Sequence, residues 1–225
     1  MSLHLSHDLS EAHNSLLKLS GSVEDMIASA VRSLVERRGA LAAEVIARDS
    51  QIDRSEVRIE EECLKMLALH QPVAADLRRI TTMMKINDDL ERIADLACNI
   101  AQRADSLVPY PEFPIPPGIH EMAMMTTSMV RRSLDSFVQL NTEQAHQVIE
   151  EDDRVDAKNV EVIETLNSLM SRDKAQITAA MHCFSASRHL EQIADHAVSI
   201  AEDLIYMVDG VIVRHRQIQL RSNAT

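Results

Sequence analysis

The chain repeats itself. Residues 89–101 read DLERIADLACNIA and residues 189–201 read HLEQIADHAVSIA, identical at eight of thirteen positions with an offset of 100. The segment before each copy also matches, at an offset of 103: Asp49, Asp53, Val57 and Glu61 correspond to Asp152, Asp156, Val160 and Glu164. The change of offset makes the intervening turn three residues shorter in the second half. Self-similarity over a span this long marks a duplicated structural unit. Whatever this chain folds into, it must build the same unit twice.

The unit is helical. Met83, Ile86, Leu90, Ile93, Ala97, Ile100 and Ala104 step by three and four, and so do Cys183, Ala186, Leu190, Ile193, Ala197, Ile200, Leu204 and Met207. Leu16, Leu19, Val23, Met26, Ala30 and Leu34 form a third such stripe. Stripes of this kind are what bundle helices bury against each other. Composition agrees. With four glycines, three phenylalanines, two tyrosines and no tryptophan, the chain is poorly equipped for turn-rich sheets. Ala, Leu, Met, Glu and Arg favour helices. The twelve methionines fall mostly within apolar stripes, as at Met122, Met125 and Met129, and read as core filling.

Five of the six prolines lie at 109, 111, 114, 116 and 117, followed by Gly118. Proline lacks an amide proton and disfavours helix in the residue before it. The window is therefore an extended linker at mid-chain. Pro72 opens a helix after a turn at His70 and Gln71, and Gly39 marks a further break. These signals predict helices over about 10–38, 40–69, 74–106, 119–140, 143–170 and 174–208. The expected fold class is all-α: two tandem, similar three-helix bundles over 1–108 and 119–225, joined by a proline-rich linker at 109–118.

Thirty-five acids against 23 bases give a net charge of −12. That argues against nucleic acid and against anionic membrane surfaces, both of which are bound through Lys and Arg. It suits metal ions or a cationic partner. Cys63, Cys98 and Cys183 are odd in number, widely spaced and without a CxxC pair, as expected of reduced thiols used as small hydrophobes. Neither a secretory signal nor an apolar run of membrane-spanning length is visible, so a cytoplasmic protein is expected. Phosphate-cradling glycine loops are also absent.

The chemistry-bearing pattern is acidic. Asp49/Asp53, Glu91/Asp95, Asp152/Asp156 and Glu191/Asp195 are four pairs at i, i+4, two in each half. On a helix such residues are neighbours, mildly destabilising as like charges, yet able to clamp one cation or bridge two. Oxygen donors suit Mg, Ca, Mn, Fe or Zn. Glu91 and Asp95 lie more than 100° from their helix's apolar stripe, which predicts an outer-surface site rather than an interior one. A solvated acidic face is the alternative. Asn99 continues one acid line, and Ser199 and Asp203 the other. His182, His189 and His196 recur every seven residues on one face. Glu143 and His146 have the spacing of di-iron bundle ligands, but only one copy exists.

LERIADLACNIA, LEQIADHAVSIAEDL, YMVDGVIVRH at 206–215, HQPVAADLRRI at 70–80 and ARDSQID at 47–53 together resemble the PhoU family of phosphate-signalling regulators, in the right order and over nearly the whole chain. Family members often have glycine where Ala94 and Ala194 stand, and histidine where Leu96 stands; His196 keeps it in the second half. The resemblance implies two similar three-helix bundles. It implies divalent or trivalent metal ions on E/D-x-x-x-D motifs, here Asp49, Asp53, Glu91, Asp95, Asp152, Asp156, Glu191 and Asp195. It further implies a non-enzymatic negative regulator of phosphate-starvation genes. Its partners would be a sensor histidine kinase and the ATPase subunit of the phosphate ABC transporter, with the membrane reached only through them. A homodimer or higher oligomer is expected. Two other readings stand beside this one: a metal-dependent carboxylate-bundle oxidase, which needs inward acids and two Glu-x-x-His motifs, and a ligand-free helical scaffold.

Overall fold

A computed structural model describes residues 3–213. The last two residues of the YMVDGVIVRH motif, Arg214 and His215, lie outside the described residues, as does the end of the second expected bundle. The described chain is six long helices: α1 (Leu3–Val35), α2 (Gly39–His70), α3 (Ala74–Leu107), α4 (Pro117–Gln139), α5 (Thr142–Arg172) and α6 (Ile177–Asp209), with a 3-10 turn at Lys174–Gln176 before the last.

The breaks have local causes. Gln71 takes the left-handed conformation at the end of α2, its N–H bonded to the Leu67 carbonyl, and Pro72 forbids continuation. Pro117 opens α4, where its missing N–H costs nothing. Asn141 caps α5, its side chain accepting from Gln144 N at 3.0 Å. Gly210, at φ 70°, ends α6 with its N–H on the Tyr206 carbonyl. Between α3 and α4 the proline-rich segment runs in turns, held by the buried Phe113, whose carbonyl accepts from the Arg37 guanidinium.

One boundary differs clearly from the sequence reading. α1 begins at Leu3, not near residue 10. Leu5, Leu9 and Ala12 extend its buried stripe by two turns. Asp8 Oδ2, 2.8 Å from His70 Nε2, fastens this extension to the end of α2.

α1, α2 and α3 pack together, and α4, α5 and α6 do the same. The two sets meet along α3 and α6, with a smaller contact between α1 and α4. α2 touches only α1 and α3, and α5 touches none of the first three helices. They form the outer flanks. The buried side chains make one continuous core through both halves. Ala94, Ala97, Ala101 and Ala104 on α3 face inward, as do Ala186, Ala194, Ala197 and Ala201 on α6. Leu90, Ile93, Leu190 and Ile193 are fully buried on the same two helices, in an interior packed without room to spare. Truncating such a leucine to alanine costs about 2–5 kcal/mol. All three cysteines are buried and free. Met122 and Met129 are buried and Met125 packs against the core.

α3 and α6 run antiparallel. Arg78 Nε reaches the Met207 carbonyl at one end, Lys85 Nζ lies 3.2 Å from Asp203 Oδ1, and His196 Nδ1 lies 2.8 Å from Asp89 Oδ1 nearer the middle.

Candidate metal-binding carboxylate grooves

The eight acids of the repeat fall into two groups, one in the groove between α2 and α3 and one between α5 and α6. In each, the flanking helix supplies one i, i+4 pair and the central helix supplies the other.

In the first groove, Asp49, Glu91 and Asp95 are half-buried and Asp53 is exposed. Burial raises the Glu91 and Asp95 carboxyls above their ordinary range. Asp95 adds to the rise of Glu91, and Asp49 and Asp53 add to that of Asp95. The four therefore sit within each other's fields. Arg92 offsets part of this, with Nε 3.5 Å from Glu91 Oε2 and Nη1 3.7 Å from Asp95 Oδ2. Burial and the nearby acids push the Cys98 thiol up to about 12, so it stays protonated and donates to Asp49 Oδ1 at 3.3 Å. Glu56 and Asp88 extend the same negative field. Neither stood out in the sequence, although Glu56 lies one turn beyond Asp53 on α2.

The second groove is more strained electrostatically. Burial, then Asp156, Asp195, Asp153 and Glu191, push the Asp152 carboxyl up to about 7. Asp152 Oδ1 and Glu191 Oε2 are buried and accept no hydrogen bond. Buried polar atoms without partners are uncommon and ask for a reason. Glu191 Oε1 is held 2.7 Å from Arg188 Nη1. Asp195 is raised by burial and by Asp156.

Placement differs from the sequence reading in one respect. Glu91 and Asp95 do point away from the stripe that α3 buries, but α2 lies alongside on that flank, so they line a groove rather than an open face. The donors fit a hard cation: carboxylates only, mutually repelling, with two orphaned oxygens in the second groove. Among the described residues, however, no three His, Cys, Asp or Glu side chains converge closely enough in these rotamers to hold an ion. His196 acts on Asp195, but its Nδ1 is taken by Asp89. His182 and His189 lie further along α6. Asn99, on the first acid line, and Ser199, on the second, are half-buried, whereas Asp203 is engaged by Lys85. Glu143 and His146 are exposed on α5.

A separate groove of about 600 Å³ lies between α1 and α4, lined by Val31, Val35, Ala123 and Met124 and flanked by Arg32 and Arg131. It contains none of the eight acids.

The comparisons agree with this architecture. The PhoU domain matches twice, over residues 16–104 and 119–204. A phosphate-specific transport system accessory protein PhoU homolog of Aquifex aeolicus (strain VF5) is 40% identical over 217 residues, covering 96% of this chain and 98% of that protein. The homolog of that name in Pseudomonas aeruginosa is 36% identical over 209 residues, 92% of this chain and 86% of that protein. The crystal structure of PhoU from Pseudomonas aeruginosa superposes with a TM-score of 0.89 at 35% identity, over 92% of this chain and 99% of that one. The phosphate transport system regulatory protein PhoU from Streptococcus pneumoniae gives 0.86 at 26% identity, over 93% and 99%. Two domain matches, one on each copy of the repeat, and full-length relatives above 30% identity place the chain in a single family: it belongs to the PhoU family.

Proposed function

We propose that this protein is a non-enzymatic cytoplasmic regulator of phosphate uptake and phosphate-starvation signalling. It acts as a negative regulator, an adaptor between the ATPase subunit of a phosphate ABC transporter and a sensor histidine kinase. The observation that carries the reading is the full-length match to relatives named phosphate-specific transport system accessory proteins. The fold suits an adaptor: a rigid frame with a shared core and two equivalent flanks. No helix among the described residues is long and apolar enough to cross a membrane. In this reading the membrane is reached through the protein's partners. Self-association as a homodimer or larger oligomer belongs to the same reading.

Metal ions belong on Asp49, Asp53, Glu91 and Asp95 and on Asp152, Asp156, Glu191 and Asp195. The orphaned oxygens of Asp152 and Glu191 and the mutual repulsion of the set support this. Fe, Zn, Mn, Mg or Ca all accept carboxylate oxygen. When bound, such an ion supplies positive charge that cancels the repulsion and ties each flank helix to its central helix. The oxidase reading loses ground, because its acids would have to line the bundle interior and Glu143 and His146 are exposed.

The test is alkaline phosphatase activity, as a phosphate-starvation reporter, in a strain lacking the gene and grown in excess phosphate. High activity that the wild-type gene returns to low supports the regulatory reading. Activity equal to the parent's removes this protein as a non-redundant repressor. Variants of the acid pairs are then ranked in the same strain.

A further inference from the structure

The α3–α6 seam is made from the two copies of the repeat, so its two halves carry equivalent positions 100 residues apart. In one half the charges are matched. Lys85 Nζ lies 3.2 Å from Asp203 Oδ1, and His196 Nδ1 lies 2.8 Å from Asp89 Oδ1. In the other half the repeat exchanges these residues: Asp203 corresponds to Arg103, Asp89 to His189, Lys85 to Ser185 and His196 to Leu96. Thr82 corresponds to His182. Both acids have become bases.

Among the described residues Arg103 consequently has no acidic side chain in ion-pair contact. Its field acts on His182 and His189, and no carboxylate acts on either imidazole. The neighbours of His189 are neutral, with Ser185 Oγ 3.2 Å from Nε2 and Gln192 Oε1 3.2 Å from Nδ1. Arg103 Nε is buried and makes no hydrogen bond. Arg103, His182 and His189 are all half-buried, so solvent reaches them only in part. A guanidinium drawn partly out of water without an acid beside it is costly. The chain has acids to spare, at a net charge of −12, yet places none here.

We infer that Arg103 and His182, with His189 beside them, form a binding position for a small oxyanion of the phosphate or sulfate class. The guanidinium presents a planar fork of N–H donors that matches two oxygens of such an ion. His182 brings a ring N–H from the facing helix, while Ser185 Oγ and Gln192 Oε1 already hold the two ring nitrogens of His189. The half-buried setting between two packed helices favours a small ion over the side chain of a folded partner. The anion class follows from these residues alone. Only the choice of inorganic phosphate as its member rests on the regulatory role proposed above.

The experiment is isothermal titration calorimetry of the full chain with inorganic phosphate, with sulfate as competitor and AMP in parallel. The ring protons of His182 and His189 are followed by NMR in the same titration. Saturable phosphate binding that sulfate competes and that shifts both sets of ring protons is expected. Arg103→Gln weakens it by about tenfold or more, the worth of one charge-assisted pair. Arg103→Lys keeps the charge, tests the fold and weakens binding less. Glu191→Gln combined with Asp195→Asn leaves it intact. Absence of saturable binding at millimolar phosphate overturns the inference, and so does equal affinity in the wild type and Arg103→Gln. Loss in the Glu191/Asp195 variant alone would put the anion on a groove-bound metal and overturn it too. AMP binding without phosphate binding overturns it as well, since the site would then take a phosphoryl group only as part of a larger ligand. A chain that represses the reporter without binding phosphate sinks this inference only, and one that binds phosphate but leaves the reporter unchanged sinks only the regulatory reading.

Discussion

His196 Nδ1 lies 2.8 Å from Asp89 Oδ1, and this contact ties the second copy of the repeat to the first across the α3–α6 seam. Burial raises the Asp89 carboxyl, and His196 pulls it back toward the ionised form. Removing the imidazole leaves a mostly buried carboxylate without its partner. His196→Ala therefore destabilises by about 1–3 kcal/mol in chemical denaturation. Replacing both residues by leucine, the side chain the first half already carries at Leu96, recovers much of that loss, since no polar group is then stranded. A double-mutant cycle measures the coupling. Strictly additive single effects would show that the two residues do not support each other.

Gly118 is a packing requirement. A Cβ there would meet Val162 Cγ2 at 2.7 Å, and Val162 is buried in the face that α5 turns to α4. Helix propensity alone predicts that Gly118→Ala stabilises by up to about 1 kcal/mol. Overpacking costs about 1–3 kcal/mol and wins where the neighbour cannot move. Gly118→Ala is expected to lower the melting temperature, and Gly118→Ala with Val162→Ala to recover part of the drop. A single variant as stable as the wild type would mean that α4 and α5 slide apart freely.

Leu140 closes α4 in the left-handed conformation, at φ 54° and ψ 37°, with its N–H on Phe137 and Ser136 carbonyls. A residue with a Cβ pays about 1–2 kcal/mol for that conformation. The side chain is 54% exposed and recovers little by packing. Leu140→Gly relieves the strain but gives back up to about 1 kcal/mol through the more flexible unfolded chain. The expected net gain is about 0.5–1 kcal/mol in equilibrium unfolding. An unchanged or lower stability would mean that the Leu140 side chain is held by contacts worth as much as the strain.

Most of the six helices were legible in the sequence because α1, α3 and α6 carry unbroken 3-4 stripes and the breaks after α1, α2 and α3 have a glycine or proline beside them; the breaks at Leu140–Asn141 and Asp173–Gln176 have neither. The start of α1 was not. Leu5, Leu9 and Ala12 fit the stripe, but His4, His7, Asp8, Glu11 and His13 crowd the other faces, and the Asp8–His70 contact that anchors the extension spans 62 residues. The acid pairs were legible as pairs, because i, i+4 is local. What lies opposite them was not. A helical wheel locates a side chain relative to its own stripe, and only the packing of α2 on α3 turns an outward acid into a groove acid. The seam is invisible for the same reason: the pairing of Asp89 with His196 depends on the register of two helices from different halves.

Asp152 gives the carboxylate grooves a pH signature. Its carboxyl sits near 7 in the folded chain, against 3.8 as the ordinary value. Between those values the folded state holds a proton that the unfolded state has released. Stability of the metal-free protein therefore rises as pH falls through 7 and is lost again as pH rises. Thermal melts in a chelator, at about pH 6 and about pH 8, should show the wild type gaining more on acidification than Asp152→Asn, which has no proton to take up. A metal ion must displace the same proton. Its affinity should fall below pH 7 by up to about tenfold per unit, a slope that Asp152→Asn flattens. Glu191→Ala with Asp195→Ala should abolish metal uptake in that groove yet keep cooperative unfolding, since partly exposed sites usually change stability by no more than about 0.5 kcal/mol each. Metal affinity unchanged from about pH 6 to about pH 8 would remove Asp152 from the ligand set. Cooperative unfolding lost in the double variant would make these acids part of the frame, not of a binding site.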